Sequence, residues 1–143
     1  MKRSEIREII KAGVDSLTPV LQFWDGELQD WNAQRDNRYP GVLSILDSVE
    51  SKYAQNMSPL DSWPIRLLVC KIDKMDSNPS DYESIVDSCD EIAQKLIYYY
   101  RDNALSYDIT TASRKRFIKK HADCLTGVEL TFTIQANDKT RVC

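Results

Sequence analysis

A Ser-His or Cys-His nucleophile in this chain would have to use His121, its single histidine. The nearest thiol in sequence is Cys124. Two residues three apart at a strand end point to opposite faces, so the spacing argues against a dyad and reads His121 as a surface or edge residue. Asp73 and Asp76 follow an apolar strand, where metal-dependent nucleases often hold acidic ligands. Asp25 and Glu27 flank a turn signal at Gly26. Neither pair is followed by the Glu-x-Lys type of partner that turns a loop into a site, so both read as solvated loop. The glycines stand singly at 13, 26, 41 and 127. Phosphate-cradling loops need several glycines close together, so nucleotide binding by that route is not expected, and no cofactor is implied.

Two other groups of side chains carry more. Arg114-Lys-Arg-Phe-Ile-Lys-Lys120 places five positive charges in seven residues, while the whole chain has a net charge of −3. A solvated strand face is one reading of Arg114, Lys115, Arg116, Lys119 and Lys120, and a contact with an anionic partner is the other. The aromatics form the second group. Trp24 and Trp31 flank a polar stretch, Tyr39 closes it, and Trp63 precedes an apolar strand. Tyr98, Tyr99 and Tyr100 end a long helix, where neighbours are about 100° apart, so the three cannot share one core. Phe23, Trp24, Trp31, Tyr39, Tyr98 and Tyr99 are therefore candidate subunit-contact residues.

The elements that must position these groups follow from periodicity. Ile6, Ile9, Ile10, Val14 and Leu17 recur at helical spacing over residues 3 to 17, and Thr18-Pro19 stops the helix. A short strand is expected at 20–24 and another at 42–48. We read these as two antiparallel strands joined by a long polar excursion, the whole spanning about 20–48. Met57 to Pro64 reads as loop, because Pro59 and Pro64 argue against a central strand. Ile65 to Ile72 is the most apolar strand and is placed centrally. Ser80-Asp-Tyr-Glu83 matches a capping box that opens a helix to about 101, with Ile85, Cys89, Ile92, Leu96 and Tyr100 on one stripe. Strands are then expected at 105–110, 115–121 and 127–135. In the last, Val128, Leu130, Phe132 and Ile134 alternate with Glu129, Thr131, Thr133 and Gln135.

Composition sets the frame. The chain has 143 residues, 42% of them hydrophobic and 29% charged, which fits one globular α+β domain over 1–143. The expected sheet is antiparallel or mixed, packed against the long helix and an N-terminal helix on one side. No apolar run approaches a membrane span, and Met1-Lys-Arg-Ser-Glu5 is not followed by an apolar segment. A reducing cytoplasm is the expected setting. Cys70, Cys89, Cys124 and Cys143 show no metal-ligand spacing, and Cys70 and Cys89 fall on apolar stripes as buried thiols.

Several short motifs together resemble a known family. They are Phe23-Trp-Asp-Gly26, then Trp31-Asn32 and Tyr39-Pro40 in a polar excursion, the apolar strand 65–72, the helix 81–101, and Asp123-x-Leu-x-Gly127 before an alternating strand. This order resembles the head–tail connector and tail-terminator (tail-completion) proteins of tailed phages. The resemblance implies a tail-terminator-like α+β subunit that is structural rather than enzymatic. It further implies a six- or twelve-fold homo-oligomeric ring in the virion, assembled in the host cytoplasm. Such a ring sits between portal, adaptor and tail proteins and lets DNA pass without specific binding. The excursion around 24–40 would reach neighbouring subunits. The polar segment 49–64 and the basic run at 114–120 depart from the family pattern. Two alternatives stand beside this reading: a small metal-dependent nuclease using Asp73 and Asp76, and a ferredoxin-like regulatory or binding module.

Overall fold

The computed structural model describes residues 3–17, 20, 22–26, 39–45, 50–52, 60–73, 76–104, 107–120 and 125–136. Helix α1 spans Arg3–Asp15 and buries Ile6, Ile10, Gly13 and Val14. Strands β1 (Gln22–Asp25), β2 (Gly41–Ile45), β3 (Glu50–Lys52) and β4 (Leu60–Ile72) follow. Helix α2 (Pro79–Asp102) then leads to β5 (Tyr107–Lys120) and β6 (Leu125–Ala136). The strands form one mixed sheet in the order β1-β2-β4-β6-β5, with β3 paired to β4 beside β2. The architecture is α+β, as expected.

Both helices lie on one face. Alternation along the strands sends Val42, Ile65, Leu67, Val69, Val128, Leu130, Phe132 and Ile134 to that face, where they meet Ile6, Ile10, Cys89, Ile92, Leu96 and Tyr100. The alternating pattern of the closing strand therefore packs as expected, with its apolar side inward. Cys70 and Cys89 are both fully buried, also as expected. The opposite face carries a second, smaller cluster of Leu43, Ile45, Leu68, Cys70, Phe117 and Leu125, against which Trp24 and Tyr39 pack. Every residue of β2 is buried, so this strand is covered on both sides.

Two glycines allow close approach. A Cβ on Gly13 would lie 2.7 Å from Cζ of Tyr100, so its absence lets α1 meet the α2 ring. A Cβ on Gly127 would collide with the Val69 carbonyl and stand 2.8 Å from Cα of Cys70. Glycine thus lets β6 pair tightly with β4 at that row.

Several expectations are corrected. β1 and β2 pair in parallel, Gln22 with Gly41 through Asp25 with Ser44, and not as an antiparallel hairpin. A tight hairpin joins only antiparallel strands, so this pairing excludes one. Pro64 lies inside β4, opposite Thr133 of β6. On the other side of β4, the pairing passes from Ser62–Glu50 to Arg66–Ile45, and residues 63–65 have no strand partner there among the described residues. A proline is tolerated where the ladder is interrupted in this way.

The helix α2 starts earlier than a capping box at Ser80 requires. Asn78 is its N-cap, its Oδ1 accepting from the Asp81 amide at 3.1 Å, and Pro79 occupies the first turn. The fixed φ of Pro79 suits the first helical position, so the cap moves ahead of it. Ser80 instead donates its hydroxyl to Asn78 Oδ1 at 2.6 Å. Residues 107–120 form one strand where two were expected. Its register shifts between Thr110 and Ser113, and Thr111 has φ of 54°. This β-bulge carries the strand through a polar stretch that reads as a break.

Candidate subunit-contact surface

The six candidate aromatics have different fates. Phe23 packs against the main core, and Trp24 and Tyr39 pack against the second cluster. The last two therefore anchor the ends of the segment that links β1 to β2. Trp31 lies outside the described residues. Helical phase separates the three tyrosines of α2, as expected. Tyr100 is fully buried, Tyr99 is half-buried with its ring edge-on to Tyr100 at 5.9 Å, and Tyr98 is 51% exposed. The Arg101 guanidinium lies 5.0 Å from the centre of the Tyr98 ring, within cation–π range. Trp63 is buried in β4 with the Arg3 guanidinium 5.9 Å from its ring centre.

Burial gives Tyr100 its role in the helix contact. Its hydroxyl donates to the Ile10 carbonyl at 2.8 Å, and its ring stacks on Phe132 at 5.4 Å. Tyr107 donates to the Tyr100 carbonyl at 3.0 Å. Burial pushes the Tyr100 phenol well above its usual range, reinforced by the neighbouring Tyr107 and Tyr99. Tyr107 is raised by burial and then by Tyr99. Cys89 is pushed up to about 11 by burial, with Lys71 opposing, so this thiol is held protonated at neutral pH.

Strand alternation divides the basic run. Arg114 and Arg116 face the helix side, where Arg114 Nη1 lies 3.0 Å from Asp90 Oδ2 and Arg116 Nη1 lies 3.8 Å from Glu83 Oε1. Lys115 pairs in register with Glu129, on the opposite face. The side chains of Lys119 and Lys120 lie outside the described residues. The run therefore does not present its described charges on one surface, because neighbouring residues in a strand cannot share a face. The polar side of β6 is tied to its neighbours. Arg66 Nε donates to Glu129 Oε1 at 2.8 Å, and Ser113 and Thr131 share a hydrogen bond of 2.6 Å.

The acidic candidates also separate. Asp73 was expected in a solvated loop but is only 8% exposed, and it accepts from the Thr126 hydroxyl at 2.7 Å. Thr126 stands opposite Lys71 at the end of the β4–β6 ladder, close enough for its hydroxyl to reach the first residue after β4. Asp76 is exposed. No group of three or more His, Cys, Asp or Glu side chains able to hold a metal occurs among the described residues. Asp25, also expected in solvated loop, ends β1 and pairs with Arg7 of α1 at 3.4 Å. Glu27, His121 and Cys124 lie outside the described residues. The element order, with α1 ahead of every strand, departs from the βαββαβ order of a ferredoxin-like module.

Sequence reasoning missed a cleft of about 300 Å³ lined by Ile72, Asp73, Ser77, Asp81 and Ile85. It forms where β4 ends and α2 begins. Ile72 is 55% exposed, although it closes the most apolar strand. The only signal was that an isoleucine stands beside a polar connection, where burial does not follow from pattern. No helix among the described residues is long and apolar enough to cross a membrane. Comparison of the chain with protein-family models and with curated proteins returns no match.

Proposed function

We propose that this chain is a structural subunit of a ring at the head–tail junction of a tailed phage, a connector or tail terminator. Six or twelve copies would join portal and adaptor to tail and leave a passage for DNA. Assembly would take place in the host cytoplasm and end in the virion. The observation that carries the reading is the succession of elements, which follows the order of the family motifs. An N-terminal helix precedes the short strands β1, β2 and β3, then come the central strand β4, the long covering helix α2, the strand β5 and the closing alternating strand β6. Trp24 and Tyr39, two of the aromatics the resemblance marks, both pack against the second apolar cluster.

Electrostatics supports passage over binding. The net charge is −3, and Arg114 and Arg116 already face carboxylates of α2. A protein that grips DNA neutralises many phosphates with free cations, and its affinity then falls steeply with salt. A ring that lets DNA slide needs few such contacts. Sedimentation analysis over a wide concentration range tests the proposal. The expected result is a discrete assembly of six or twelve chains; a monomer at every concentration would contradict it.

A further inference from the structure

Ile72 and Tyr98 are the large hydrophobic side chains left most exposed among the described residues, at 55% and 51%. They belong to unlike patches. Ile72 lines the cleft with Ile85, and Asp73, Ser77 and Asp81 join them among the described residues. Tyr98 stands out from the last turns of α2 with the Arg101 guanidinium over its ring. One patch is a concave acidic cleft with apolar walls, and the other is a projecting aromatic with a cation beside it. Their shapes and charges are complementary.

The two cannot meet within one chain. Ile85 and Tyr98 are thirteen residues apart on α2, about 20 Å along its axis at 1.5 Å per residue. At about 100° per residue they also point about 140° apart around the helix. A two-fold contact needs both patches on one self-complementary surface, which this offset opposes. Head-to-tail contact does not, because each copy offers its tyrosine to one neighbour and its cleft to the other.

We infer that Tyr98 and Arg101 of one copy seat in the Ile72–Asp81–Ile85 cleft of the next, and that this contact propagates the ring. The inference rests on the ring reading and adds which surfaces meet. The cleft, about 300 Å³, is at the lower end of small-molecule pockets (roughly 300–1,000 Å³) and suits a single aromatic side chain. Ile72 and Ile85 supply the apolar contact, and the Asp81 carboxylate is the partner for the arriving guanidinium. A desolvated aromatic with an arginine at its rim is the usual composition of an interface hot spot.

Complementary variants of the full chain test this. Tyr98→Ala removes the projection and keeps the cleft, whereas Ile72→Glu spoils the cleft and keeps the projection. Both positions are exposed, so thermal melting should match the unmodified chain and show that each variant folds. Each variant alone should assemble roughly tenfold to thirtyfold more weakly than the unmodified chain. Mixed in equal amounts, they should form a one-to-one dimer that grows no further, since only one intact pair of surfaces remains. The double variant Asp81→Arg with Arg101→Asp should regain assembly that each single change loses.

If the unmodified chain assembles and both variants assemble equally well, the contact is wrong while the ring reading stands. The contact is equally excluded, with the ring reading intact, if the variants are monomeric and their mixture stays so. An unmodified chain that stops at a dimer, or stays monomeric throughout, overturns the contact and the ring together.

Discussion

Tyr100 connects α1, α2 and β6 through one side chain, with its hydroxyl on Ile10 and its ring on Phe132. Its proton is held more tightly in the folded chain than in the unfolded one. Above about pH 10 the unfolded chain loses that proton first, so it binds fewer protons and stability falls as pH rises. Cys89 acts in the same direction between its ordinary 9.0 and about 11. Thermal melting followed from pH 8 to 11 should show a falling midpoint, and Tyr100→Phe should flatten that fall while costing about 1 kcal/mol at neutral pH. Gly127→Ala should cost about 1–3 kcal/mol by denaturant titration, because its methyl group has only β4 backbone to displace. The burial of Tyr100 was legible from its place on the helical stripe. The close approaches at Gly13 and Gly127 were not, since sequence does not show which backbone a glycine will face.

Periodic elements were the legible ones. The helices and the closing strand emerged because each buries one face, and their apolar residues recur at a spacing that only one secondary structure satisfies. Interruptions misled. Pro64 read as a strand breaker, yet it falls where β3 has ended and β2 has not begun. Residues 111–114 read as a gap, yet a bulge between Thr110 and Ser113 carries β5 across it. The parallel pairing of β1 with β2 was hidden because partner direction depends on the connection, which leaves no period in the strands. The cap of α2 gives a direct check. Asn78→Ala should lower stability by about 1 kcal/mol, whereas Glu83→Ala should stay within about 0.5 kcal/mol. The opposite ranking would restore the cap to Ser80. Removing the exposed Arg114–Asp90 pair by Arg114→Ala should change the melting free energy by less than about 1 kcal/mol, since such pairs are well solvated.

The described residues form a mixed sheet with two helices on one face and a smaller apolar cluster on the other. Several of the described charges are paired across elements, through Arg7–Asp25, Arg66–Glu129, Arg114–Asp90 and Arg116–Glu83. The large hydrophobic side chains left exposed among the described residues are Ile72, in the cleft at one end of α2, and Tyr98 near the other. The exposure of one tyrosine was legible, because three successive tyrosines on a helix cannot all be buried. The cleft was not, because it arises from β4 and α2 meeting in space. Together they give the ring proposal a physical mechanism, in which each copy has one surface to offer and another to receive. Negative-stain imaging of the purified full chain at high concentration tests this most directly. Closed rings of six or twelve subunits around an open centre are the predicted result, and a field of monomers alone would contradict it.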